Sequence, residues 1–212
     1  MDIALVGAGI GGLAAAACLL KNGHRVRVYE QAGDVHEVGA AVQMSANAVK
    51  VLYHLGLQDR LEAVAVKPRA FEFRRFDTGE LLHEIPLGEA HQRQHCHPYY
   101  QVHRVDLHAA LMEAVTQLDP QALQLGYRAV RAEEDAQGAT VHFEDGRQVR
   151  AELLVGSDGI KSVVRRHVVD AEPPVFTGQV AWRLAIPIER IEPALRPPLV
   201  SSIWCGPNNH AV

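Results

Sequence analysis

Three glycines near the amino terminus, Gly7, Gly9 and Gly12, are spaced Gly-x-Gly-x-x-Gly. Placed after a strand and before a helix, that spacing can hold a phosphate group. The first glycine permits the tight turn, the second lets a pyrophosphate approach the backbone, and the third lets the helix pack on the strand. The helix start then offers unpaired N–H groups and a positive dipole end to the anion. Glu30 follows 18 residues after Gly12. A carboxylate there suits ribose hydroxyls and repels a 2′-phosphate. These residues read as a site for a dinucleotide with a plain adenosine ribose, without separating NAD from FAD.

Other reactive side chains carry weaker signals. His91, His95 and His97 flank Cys96 in a polar stretch that reads as irregular over residues 86–100. Their spacing matches no common zinc pattern, so no metal is expected. Asp158, in Gly156-Ser157-Asp158-Gly159, reads on its own as a turn residue or helix cap. On their own, His210 reads as a structural or solvated histidine, Arg104 as a surface arginine at a helix start, and Gln43 as an exposed loop residue.

The elements that would position these groups follow from periodicity. Asp2–Val6 is a short apolar run suited to a strand buried on both faces. Gly11–Lys21 is rich in Ala and Leu, and Asn22-Gly23 gives it a helix ending. Arg25–Glu30 alternates, with Val26 and Val28 on one face. The three make a βαβ unit. A second helix is expected from Ser45 as N-cap to Leu55 before Gly56. Two strands are expected around Asp77-Thr78-Gly79 and a hairpin around Asp145-Gly146. Asp106–Leu118 reads as an amphipathic helix with Leu107, Leu111, Ala114, Val115 and Leu118 in one stripe. Leu153–Val155 reads as a buried strand leading to a helix, and strand-like segments with Pro-rich joints follow Pro173-Pro174.

In order along the chain stand Gly7-x-Gly9-x-x-Gly12, Glu30, Gly39-Ala40-Ala41-Val42-Gln43, His103-Arg104-x-Asp106-Leu107 and Gly156-Ser157-Asp158-Gly159-Ile160-x-Ser162-x-x-Arg165. This ordered set resembles the class A flavin-dependent aromatic hydroxylases. Trp204-x-Gly206-Pro207-x-x-His210 is similar to a motif of the salicylate, 3-hydroxybenzoate and 6-hydroxynicotinate hydroxylase branch. The resemblance implies a flavin-dependent monooxygenase that hydroxylates a phenolic or hydroxypyridine carboxylate, using FAD, NAD(P)H and O2. Gly7, Gly9, Gly12, Glu30, Gly39, Val42, Arg104, Asp158 and Gly159 would hold the cofactor, Gln43 would edge the substrate pocket, and His210 would deprotonate the substrate. A third signature of that family, Gly-Asp followed by His-Pro and a glycine-rich helix, has no match here. The expectation is therefore the amino-terminal part of a longer enzyme. The alternatives are a flavin-free fragment or binding module without activity, or an NAD-dependent dehydrogenase.

Composition narrows the class. The 212 residues are 48% hydrophobic and 22% charged, with net charge −4, which excludes a disordered chain and disfavours nucleic acid as a partner. The uncharged run from Ile3 to Leu20 lacks a preceding Lys or Arg and is broken by glycines, so neither signal peptide nor membrane span is expected. Cys18, Cys96 and Cys205 are odd in number and far apart, as in a reduced cytoplasmic protein. The expected fold is α/β. A Rossmann-like FAD-binding domain would use residues 1–70 and 100–172, and part of a β-sheet substrate domain would use 71–99 and 173–212. The expected partner is a small aromatic acid, with a homodimer left open.

Overall fold

The computed structural model describes residues 1–34, 41–169 and 172–212. Along the chain run β1 (Asp2–Val6), α1 (Ile10–Lys21), β2 (Arg25–Glu30), β3 (Ala41–Met44), α2 (Ala46–His54), α3 (Gln58–Val64), β4 (Ala70–Arg75) and β5 (Leu81–Pro86). These are followed by α4 (Glu89–His95), β6 (Tyr100–His103), α5 (Arg104–Leu118), β7 (Leu123–Leu125), β8 (Ala129–Asp135), β9 (Gly138–Phe143) and β10 (Gln148–Ala151). The last are β11 (Leu153–Gly156), α6 (Val163–Val169), β12 (Ser201–Cys205) and β13 (His210–Ala211). Among the described residues no helix is long and apolar enough to cross a membrane.

By contact the chain forms two compact units, Met1–Val38 with Val105–Ala181, and Gly39–Arg104 with Trp182–Val212. The division falls at different points from the domain limits expected above. The described residues 41–70 go with the second unit because β3 pairs antiparallel with β6, and Val66 bridges Gln101.

The first unit is built on a parallel sheet of order β11-β1-β2-β7. β1 has strands on both sides, and Ile3 to Val6 are all buried, as the apolar run requires. β11 has only β1 beside it, and Leu153 is 41% exposed, so the strand expected to be buried is an edge strand. An antiparallel meander of order β10-β9-β8 shares a buried cluster with the sheet through Ala4, Val6, Tyr29, Val141 and Phe143. Tyr29, Tyr127 and Phe143 stack with ring centroids 5.0 to 5.2 Å apart. α1 buries Leu13, Ala16 and Ala17, and α5 buries Leu107, Leu111, Ala114 and Val115. Leu118 does not join that stripe: it ends the helix and is 47% exposed.

The second unit carries a sheet of order β13-β12-β4-β5, in which only β12 and β4 run parallel, and the two-stranded ribbon of β3 and β6. Buried Tyr100 meets the Tyr53 hydroxyl at 2.6 Å, and Glu62 accepts from both phenols. Burial, the Tyr53 hydroxyl and the Glu62 charge all push the Tyr100 phenol upward. The irregular stretch expected at 86–100 holds a helix instead, α4, where Glu89, Ala90, Gln92, Arg93 and Gln94 are good helix formers and Glu89 pairs with Arg93. Residues 172–200 contain two short 3₁₀ turns and no strand among the described residues, so the expected strands between Pro174 and Val200 are absent. Regular pairing resumes only at β12.

Glu72 on β4 is 1% exposed and accepts from Arg74 Nε at 2.8 Å and Arg69 at 3.4 Å. Removing the carboxylate leaves the half-buried Arg74 guanidinium on the Gly79 carbonyl at 2.8 Å without its anion. Glu72→Ala is expected to cost about 2 kcal/mol, read as a lower denaturation midpoint, with Glu72→Gln losing less because the amide oxygen still accepts.

Candidate functional site

The parallel strands of the first unit end in the turns that carry the sequence motifs. Gly7 has φ +100°, and its N–H donates to the Tyr29 carbonyl at 2.8 Å. A β-carbon on Gly7 would lie 2.4 Å from the Ser157 carbonyl oxygen and 3.0 Å from Asp158 Cα. Ser157 N–H donates to the Val6 carbonyl at 2.7 Å. The two glycine-containing turns, at the ends of β1 and β11, are therefore packed backbone to backbone, with no room for a side chain between them.

Gly12 has the closest approach of the three. A β-carbon there would stand 2.0 Å from the Gly7 carbonyl oxygen, so only glycine lets α1 lie against the turn. Gly9 is different. It is the N-cap of α1 with φ −69° and no side-chain cap, and a β-carbon on it would meet nothing within 4 Å. The open space thus lies over the helix start, where an anion finds unpaired amides and the helix dipole.

Glu30 ends β2 with both carboxylate oxygens in use: Oε2 accepts from Ala8 N–H at 2.7 Å and Oε1 from Ala32 N–H at 3.0 Å. Each oxygen retains a second lone pair for a ribose hydroxyl. The site also includes a residue that the sequence reading missed. His108 on α5 is 4% exposed, and its Nε2–H donates to the Ala8 carbonyl at 2.7 Å. The signal was present, since His108 shares the i, i+3, i+7 stripe with Leu111 and Val115.

Asp158 caps α6. Its Oδ2 accepts from Val163 N–H at 2.6 Å, and its Oδ1 accepts from the Ser162 hydroxyl. Asp158→Ala should lower stability by about 1 kcal/mol, and Asp158→Asn should retain most of it. Thermal melts of the two variants check this. Gly159 follows with φ +75°, a conformation that favours glycine.

The other expected site residues lie in the second unit. Val42 and Gln43 are on β3, opposite Val102 and Gln101 of β6. Gln43 Nε2 donates to Ser201 Oγ at 3.4 Å, and Gln101 Nε2 donates to the same oxygen at 3.0 Å. Ser201, Ile203 and Cys205 alternate onto one face of β12, and Cys205 pairs with His210 on β13. Gln43 and His210 thus meet opposite ends of one face, roughly 13 Å apart along the strand. Exposed His210, together with Ile203, Cys205 and residues 206–209, lines a shallow cavity of about 420 Å³. Arg104 is the half-buried first residue of α5. Gly39 lies outside the described residues. His91 and His95 stack on α4 with centroids 4.5 Å apart, and among the described residues no three His, Cys, Asp or Glu side chains gather as a metal cluster.

A parallel β-α-β core with packed glycine turns and an open helix start defines a dinucleotide-binding protein. Residues 1–185 match the FAD binding domain family, and the chain belongs to it. It is 39% identical to the 3-amino-4-hydroxybenzoate 2-monooxygenase of Streptomyces cremeus, over 98% of this chain and 52% of that protein. It is 34% identical to the 6-hydroxynicotinate 3-monooxygenase of Pseudomonas fluorescens, over 98% of this chain and 53% of that one. Among solved structures, Klebsiella pneumoniae HpxO complexed with FAD and uric acid superposes with a TM-score of 0.75 at 29% identity, covering 97% of this chain and 51% of HpxO. The chain spans about half the length of the curated relatives it matches.

Proposed function

We propose that the protein is a flavin-dependent monooxygenase that hydroxylates a phenolic or hydroxypyridine carboxylate with NAD(P)H and O2. The observation that carries this reading is the Gly7 turn packed against the Ser157-Asp158 turn, with open space over Gly9, in a chain that matches the FAD-binding family. The Streptomyces and Pseudomonas relatives are named as monooxygenases of a hydroxybenzoate and a hydroxynicotinate, which favours this over an NAD-dependent dehydrogenase.

The residues present fit FAD: Gly9 leaves room for a pyrophosphate, and Glu30 has lone pairs for a ribose. Gly7, Gly9, Gly12 and Glu30 would hold the adenosine diphosphate half. Gly39, Val42, Arg104, Asp158 and Gly159 complete the set that the family resemblance supplies. FAD held there would supply the redox chemistry between NAD(P)H and O2. The chain binds, orients and moves a proton. Gln43, held by Ser201, borders the substrate face, and the His210 imidazole accepts the proton of the substrate hydroxyl, since an ionised ring is the better nucleophile. The first unit carries Gly7, Gly9, Gly12, Glu30, Asp158 and Gly159 of the cofactor set, and the second carries Val42 and Arg104 of that set with Gln43 and His210. The reading extends to a reduced cytoplasmic setting.

The test adds FAD to purified protein, records the visible spectrum, and follows NAD(P)H oxidation and product formation with hydroxybenzoates and hydroxynicotinates. A yellow protein that forms a hydroxylated acid is the expected result. A colourless protein that binds NAD but not FAD would overturn the assignment.

A further inference from the structure

The two peptides that flank Ala8 are each held at one atom by a side chain. Ala8 N–H is taken by Glu30 Oε2 at 2.7 Å, and the Ala8 carbonyl accepts from His108 Nε2–H at 2.7 Å. Gly7 N–H is taken by the Tyr29 carbonyl at 2.8 Å. In a planar trans peptide the carbonyl and the next N–H point in opposite directions. Anchoring the Ala8 carbonyl on buried His108 therefore turns the Gly9 N–H the other way. Gly9 is also the residue over which the space is open.

We propose that His108 is a positioning residue that fixes the Ala8–Gly9 peptide and so aims the Gly9 N–H at a bound pyrophosphate. This rests on the FAD reading above for the identity of the ligand, but not for the orientation of the peptide. The imidazole touches no ligand and acts through the backbone. A glycine turn without this anchor has a soft ψ at Ala8 and φ at Gly9, and each phosphate contact must then be formed against extra backbone freedom. Glu30 alone does not remove it, because it grips the peptide on the amino side of Ala8 and leaves the following one to rotate.

The test compares His108→Gln, which keeps a side-chain N–H donor, with His108→Leu, which keeps bulk and burial but donates nothing. FAD affinity of the apoprotein is read by quenching of flavin fluorescence, apoprotein stability by thermal melting, and the Gly9 amide by its ¹⁵N–¹H signal and hydrogen-exchange rate. His108→Leu should weaken FAD binding roughly tenfold, shift the Gly9 signal and speed its exchange. His108→Gln should stay within about threefold of the parent and keep the Gly9 signal near its parent position. Parent-like FAD affinity and an unmoved Gly9 signal in His108→Leu would overturn the proposal. So would equal losses in both variants that track a common drop in melting temperature, since His108 would then be filling space only. If the parent protein fails to bind FAD, the ligand reading falls, and the Gly9 signal still decides whether His108 sets the peptide.

Discussion

Gly9→Val should yield a folded apoprotein that has lost FAD. The backbone at Gly9 has φ −69°, open to any L-residue, and a β-carbon meets nothing within 4 Å. Melting of the apoprotein should therefore shift by no more than about 2 °C. The valine side chain instead fills the space over the start of α1, and FAD affinity should fall roughly 100-fold or more, equivalent to about 3 kcal/mol. Gly12→Val gives the contrasting result. Its β-carbon would stand 2.0 Å from the Gly7 carbonyl, so backbone must move before any ligand is present. That variant should lose about 3 kcal/mol of stability or fail to fold. Flavin fluorescence titration and apoprotein melting separate the two, and a Gly9→Val protein with parent FAD affinity would remove the cofactor from this turn.

The contrast also shows what could be read from the sequence. The glycine spacing announced a turn, a close approach and a helix contact, and the structure gives each glycine its own reason. Asp2–Val6, Arg25–Glu30 and both expected hairpins were legible because period and turn residues agree locally. The strands Leu123–Leu125 and Ala129–Asp135 were not, since three residues carry no period in the first and β8 exposes most of its side chains. Helix α3 escaped because its N-cap is Leu57, which gives no capping signal. The helical stripe marks His108 as buried, but its partner, a backbone carbonyl 100 residues earlier, is encoded by no local pattern. Gln43 was visible as a motif residue, but its partner Ser201, 158 positions away, was not.

His210→Ala should slow hydroxylation by roughly 10²–10⁴-fold, the usual worth of a positioned general base, while leaving FAD affinity unchanged. The residue sits on β13, paired with Cys205, and faces the shallow cavity formed with Ile203 and residues 206–209. None of these groups belongs to the turns around Gly7 and Asp158, which is why cofactor binding is expected to survive. The alanine variant has no imidazole to accept the substrate proton, and the other residues lining that cavity, Ile203, Cys205, Gly206, Pro207, Asn208 and Asn209, bring no second imidazole and no carboxylate. The deficit should shrink as pH rises toward the substrate's own ionisation, where the ring loses its proton to solvent without help. NAD(P)H consumption should exceed product formed, because oxygen reduced without a nucleophilic ring to attack it leaves as hydrogen peroxide. The check is a pH profile of product formation against NAD(P)H consumption for parent and variant. An unchanged product yield with a parent-like pH profile would make His210 a strand residue only, holding its place opposite Cys205.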